Sequence, residues 1–169
     1  MANFSISPIF TIRRNLMAVI HRISEDLFAE SFGLIAMHCS MECYALAYHI
    51  NNASHISLRR TKNDLEIATA FIPIYEHKSE INGYEWHLVR NSVQDSNTTR
   101  GSGLFAFENT FKSHYLLEGR KDIDYVLKLT PNDTNEMNKM LEGIRSIPKV
   151  SLAYELDTTD PKTRKNIIF

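Results

Sequence analysis

The side chains with the most reactive chemistry stand together early in the chain: His38, Cys39 and Cys43. A thiolate is a nucleophile and a soft metal ligand, and one beside a helix start is stabilised by the helix dipole. A histidine can act as its base. A structural zinc site needs four ligands, usually in tightly spaced pairs. Here only His49 and His55 stand near enough in sequence to add to the three, and no paired spacing occurs. The plainer reading fits better: Cys39 and Cys43 are small residues buried at a strand–helix junction, as free cysteine commonly is. The chain has no Gly-x-Ser-x-Gly, His-Glu-x-x-His or P-loop pattern. No catalytic residue is assigned, and no metal or cofactor is expected. A thiol enzyme using His38, Cys39 and Cys43 is the third functional reading.

Charged residues supply the other candidates. Arg59, Arg60 and Lys62, with Arg90 and Lys128 as sheet neighbours, would make a basic face for a protein partner or for nucleic acid. An open sheet of aromatic and basic residues binds single-stranded RNA by stacking and phosphate contact. Charges alternating on a solvated strand face are the commoner cause of such a pattern. Glu118, Asp122 and Asp124 form an acidic group suited to acid–base chemistry. A solvated turn, with Asp124 accepting backbone N–H bonds beside a strand, fits it better. Arg100-Gly101-Ser102-Gly103 is glycine-rich but does not lead from a strand into a helix, so it reads as a loop and not a phosphate cradle.

These residues must be positioned by elements that the pattern of apolar residues reveals. Phe32 to His38 is a near-continuous apolar run, as expected of a central strand buried on both faces. Ser40 is placed to cap a helix from about Met41 to Ile50, which Asn51 and Asn52 would end. That helix is apolar or aromatic on nearly every side. Ile56 to Arg60 alternates as a strand, and so does Ile67 to Ile72, with Pro73 marking an edge or bulge. Asn82-Gly83 marks a hairpin, followed by a strand with Tyr84, Trp86 and Leu88 on one face. Asn91 to Gly103 reads as a mobile loop, and Phe111, Ser113, Tyr115 and Leu117 as the next strand face.

The last third repeats the opening pattern. Tyr125, Leu127 and Leu129 mark a strand. Thr130 reads as the cap of a helix, with Pro131 at its first position and Asp133 three residues on. Met137, Met140, Leu141 and Ile144 form a helical stripe that Ile147-Pro148 ends. Val150, Leu152, Tyr154 and Leu156 alternate as a strand, and the apolar end, Ile167 to Phe169, is expected to dock back on the body. The fold class is therefore α+β: a two-layer sandwich with a mostly antiparallel sheet, two main helices and ferredoxin-like βαβ elements at both ends.

The chain's 169 residues suit one domain, assigned to residues 17–169. Residues 1–16, ending before Met17, read as a flexible extension. In that extension Arg13 and Arg14 follow the short apolar part, the reverse of a secretory signal. A hydrophobic content of 43% excludes wholesale disorder, and a net charge of −1 excludes a global field that gathers nucleic acid. Two cysteines without a framework spacing point to a reducing, cytoplasmic compartment.

The stretch Leu117-Glu118-Gly119-Arg120-Lys121-Asp122-Ile123-Asp124-Tyr125 resembles the defining motif of the IPExxxVDY family of Bacteroidetes proteins. Ile123, Asp124 and Tyr125 match its second half, while Leu117-Glu118-Gly119 replaces Ile-Pro-Glu. The resemblance extends to Met17-Ala18-Val19, Phe32 to Tyr48, Arg59 to Leu65, Ser102 to Phe105 and the ending Asn166 to Phe169. It implies a bacterial cytoplasmic protein and brings no activity. The leading reading is a non-catalytic module that binds a protein partner or small ligand. Edge-strand pairing points further to a homodimer. A nucleic-acid-associated protein is the alternative, and no membrane association is expected.

Overall fold

The computed structural model describes residues 31–67, 70–95, 112–159, 167 and 169. The expected flexible extension 1–16, the Arg100–Gly103 loop and Phe111 lie outside them. In chain order the elements are β1 (Gly33–Cys39), α1 (Cys43–Ser54), β2 (Arg59–Arg60), β3 (Leu65–Ile67), β4 (Ala70–Ile72), β5 (Ile74–Lys78) and β6 (Glu85–Arg90). Then follow β7 (Ser92–Asp95), β8 (Lys112–Tyr115), β9 (Tyr125–Thr130), α2 (Thr134–Arg145) and β10 (Val150–Leu156).

Six strands form one antiparallel sheet in the order β10-β1-β9-β6-β5-β2. The most apolar strands, β1 and β9, lie inside it, as strands buried on both faces must. In β9–α2–β10 the two strands run parallel with β1 between them. The opening β1–α1–β2 segment instead spans the sheet, because β2 lies at the far edge. Alternation sends Ile35, Met37, Trp86, Leu88, Tyr125, Leu127 and Leu129 to the face under both helices. Leu34, Ala36, Ile74, Val89 and Val126 go to the other face. There they meet Ile72, Leu116, Leu117, Ile123 and Ile167 in a second, smaller core.

Several boundaries differ from the sequence reading, each for a tertiary reason. Helix α1 starts at Cys43 with Glu42, not Ser40, at its cap, and Glu42 makes no capping bond. The chain before it is held elsewhere: the Met41 N–H donates to Cys39 Sγ (3.4 Å), and the Met41 carbonyl accepts from the Tyr125 hydroxyl (2.6 Å). Asn51 and Asn52 lie inside the helix. The Asn51 side chain bonds the Leu58 N–H and C=O, so it does not compete with its own backbone. The helix ends instead at His55, in the left-handed region. Asp133, not Thr130, caps α2, accepting from the Asn135 and Glu136 N–H groups. Only Arg59–Arg60 of the Ile56–Arg60 stretch is strand.

The stretch read as one strand over residues 67–72 is divided between β3 and β4, which pair with each other. Residues 92–95, expected in a loop, form β7 against β8. On β10 the buried residues are Ala153 and Leu156, while Leu152 is 52% exposed. Gly83 takes the positive φ that the Asn82-Gly83 turn requires.

Candidate functional site

Ile123, Asp124 and Tyr125 sit where β9 begins, and each is tied to the frame. Ile123 is buried in the smaller core. The Asp124 carboxylate accepts the Cys39 N–H at 2.9 Å, beside the irregularity that ends β1 between His38 and Cys39. The Asp124 N–H donates to the Met37 carbonyl. Tyr125 is 1% exposed, and burial pushes its phenol up to about 12. Its hydroxyl therefore serves as a donor to Met41, fixing the approach to α1. Asp124 and Tyr125 thus clamp the β1–α1 junction. Glu118 and Asp122 are exposed, and Asp122 pairs with Arg120 at 3.1 Å. Asp124 contacts Cys39 instead, so the acidic residues form no carboxylate pair.

The three thiol-site residues split across β1. Cys39 is buried in the helix-side core. His38, its neighbour in the strand, points to the opposite face and stacks on Tyr154 at 5.9 Å. Cys43 opens α1, and burial pushes its thiol up to about 12, despite the Arg90 guanidinium nearby. At neutral pH it is a thiol and a poor nucleophile. Among the described residues no group of three or more His, Cys, Asp and Glu side chains is arranged to hold a metal ion.

The basic residues do not assemble into one face. Arg60 Nη2 donates to both carboxylate oxygens of Asp64 (3.0 and 3.1 Å), and Arg59 Nε donates to the Ser57 hydroxyl. Lys62 is exposed on the turn after β2. Arg90 lies on the helix side, 3.7 Å from Glu42 and over the Tyr125 ring. Lys128 is buried on the opposite side of the sheet.

The outer face of α1 is what sequence reasoning did not select. Tyr44 and Tyr48, one turn apart, are 68% and 66% exposed, and Asn52 continues their row. The helix carries no charged residue. Tyr75 of β5 packs against the helix-side core, and its phenol is raised by burial first and then by Cys43. The outer face is thus rich in exposed tyrosine. Its signal in the sequence was the absence of charge from a helix of 12 residues, because a solvent-facing helix normally carries a polar stripe.

No family model, curated protein or solved structure matches the chain. Among the described residues no helix is long and apolar enough to cross a membrane.

Proposed function

We propose that the protein is a non-catalytic cytoplasmic binding module that works as a homodimer, with two copies docking through the outer faces of α1. The observation that carries this reading is the exposed pair Tyr44 and Tyr48 on a helix without charge. Tyrosine offers large, rigid area at low entropic cost and is enriched in interface cores, where charged residues are depleted. A second copy suits the face because an isologous interface brings identical patches together, and an uncharged patch meets itself without repulsion. A stable interface takes about 800 Å² per partner, more than one short helix face offers. The interface must therefore extend beyond the helix face itself.

The β10 edge is the weaker place for self-pairing. The Met37 carbonyl accepts from Asp124 on the β9 side, so Ala153, opposite Met37, turns its backbone groups away from β1. The Arg145 guanidinium donates to the outward Ala153 carbonyl at 3.0 Å and guards that edge. We further read β10-β1-β9-β6 with α1 and α2 as a ferredoxin-like core extended by β5 and β2, and the chain as related to the IPExxxVDY proteins.

The test is sedimentation velocity over a concentration series, for the native chain and for a Tyr44→Glu, Tyr48→Glu double variant. A concentration-dependent dimer that the double variant abolishes, with an unchanged circular-dichroism spectrum, is expected. A native chain that stays monomeric throughout overturns the homodimer.

A further inference from the structure

A cavity of about 340 Å³ opens beside the junction of β6 and β7. The chain between β4 and β5 lines it with Phe71, Ile72 and Pro73, and the run from β6 into β7 lines it with Arg90, Ser92 and Gln94. The volume lies at the small end of the roughly 300–1,000 Å³ typical of ligand pockets. The first group is apolar. The second offers a guanidinium, a hydroxyl and a primary amide, all hydrogen-bond donors. Arg90 is the one charged residue of the lining among the described residues. Its guanidinium lies 5.9 Å from the centre of the Tyr125 ring, and the Glu42 carboxylate comes only to 3.7 Å, beyond hydrogen-bond length. Both of those ionic side chains are well solvated, 49% and 68% exposed, so their pairing is weak. Among the described residues the Arg90 guanidinium has no hydrogen-bond acceptor.

The walls are fixed by the fold. Asn91, between Arg90 and Ser92, has no exposed surface and bonds the Leu117 N–H and the Arg120 and Ile123 carbonyls. Ile72 is anchored in the smaller core, and alternation turns Phe71 the other way, where it is 63% exposed. A preformed cavity spares a ligand the entropy of ordering it.

We propose that this cavity binds a small carboxylic acid with an apolar ring, its carboxylate on Arg90 and its ring against Phe71 and Pro73. A guanidinium matches a carboxylate in a forked, two-bond geometry. Ser92 and Gln94, at alternate positions from Arg90, add donors on the same wall. Glu66, the cross-strand partner of Phe71, disfavours the reverse orientation. A neutral hydrocarbon would desolvate Arg90 without pairing it, and a phosphate would leave the apolar wall unmatched. The inference does not rest on the α1 interface.

The probes are benzoate, phenylacetate and phenylpropionate, each titrated into the full chain beside its neutral carboxamide and followed by nuclear magnetic resonance. At least one acid should give saturable shifts at the Ser92 and Gln94 amides and at the Arg90 Nε–H, with its carboxamide at least about tenfold weaker. Arg90→Gln should weaken the acid about tenfold and leave the carboxamide as it was, a split that mere structural damage would not produce. The proposal is overturned if none of the three acids shifts these signals saturably, if acid and carboxamide bind alike, or if Arg90→Gln leaves the acid's affinity unchanged. Should Arg90→Gln not fold, Phe71→Ser at its exposed position replaces it. It should weaken the acid and the carboxamide together, and an unchanged affinity for both refutes the site.

Discussion

The two faces of the central sheet are closed in different ways. On one, α1 and α2 lay Leu46, Ile50, Met137, Met140 and Ile144 over Ile35, Leu88, Tyr125 and Leu127, a continuous apolar layer built from elements of regular structure. On the other, the row Arg59–Glu76–His87–Lys128 runs across four strands, and irregular chain covers much of the rest. The first face stabilises by apolar area alone. The second depends on polar groups finding partners: Asn91, with no exposed surface, bonds the Leu117 N–H and the Arg120 and Ile123 carbonyls, and Lys128 bonds the chain's end.

Core truncation should show that asymmetry most strongly. Ile144→Ala, at a fully buried helix position, should cost about 2–5 kcal/mol in urea unfolding. Ile167→Ala, though nearly as buried, removes contacts made largely with irregular chain and should cost less than Ile144→Ala. Equal losses would erase the distinction between the faces. Asn91→Ala leaves three backbone groups without this partner, two of them in buried bonds, and should cost about 3 kcal/mol; a change near zero would mean that water replaces the amide. Tyr125→Phe leaves the Met41 carbonyl unpaired on the helix side and should cost about 1–2 kcal/mol.

A pH series probes the polar row. Burial, with the Lys128 ammonium beside it, holds His87 below the ordinary histidine value of 6.5, and its Nδ1 has no hydrogen-bond partner among the described residues. The native state therefore binds fewer protons than the unfolded chain as pH falls below that value. Stability is full above it and declines on the acid side, and His87→Gln should flatten that decline. An unchanged slope would remove His87 from the account. The smallest effect is expected at Tyr44→Ser, within about 0.5 kcal/mol on folding, while self-association weakens. A large loss of stability there would make α1's outer face part of the core.

Much of the frame was legible from apolar spacing. The run ending at His38 became β1, the Met137, Met140, Leu141 and Ile144 stripe became the buried side of α2, and Asn82-Gly83 turns between β5 and β6. The docking of Ile167 followed from its apolar neighbours beyond a polar stretch. Helix boundaries were less legible: distant Tyr125 holds the Met41 carbonyl beside Ser40, Leu58 takes the Asn51 amide, and Asp133 caps α2 three residues beyond Thr130. Asn91 looked like loop polarity and is a buried hub. Leu152 alternates correctly, but the pattern alone does not say which of β10's two residue sets meets the helices.

The sequence by itself determined a mixed α and β domain with a mostly antiparallel sheet, since residue periodicity of two or of 3.6 is a local property that survives without knowledge of neighbours. Only the tertiary structure decided that His38 and Cys39 are parted by the sheet and that Asp124 and Tyr125 clamp the β1–α1 junction. It also decided that Lys128 meets the chain's end and not a shared basic face. Those outcomes depend on strand order and on which face each strand turns inward, and both are set by contacts between residues far apart in the chain.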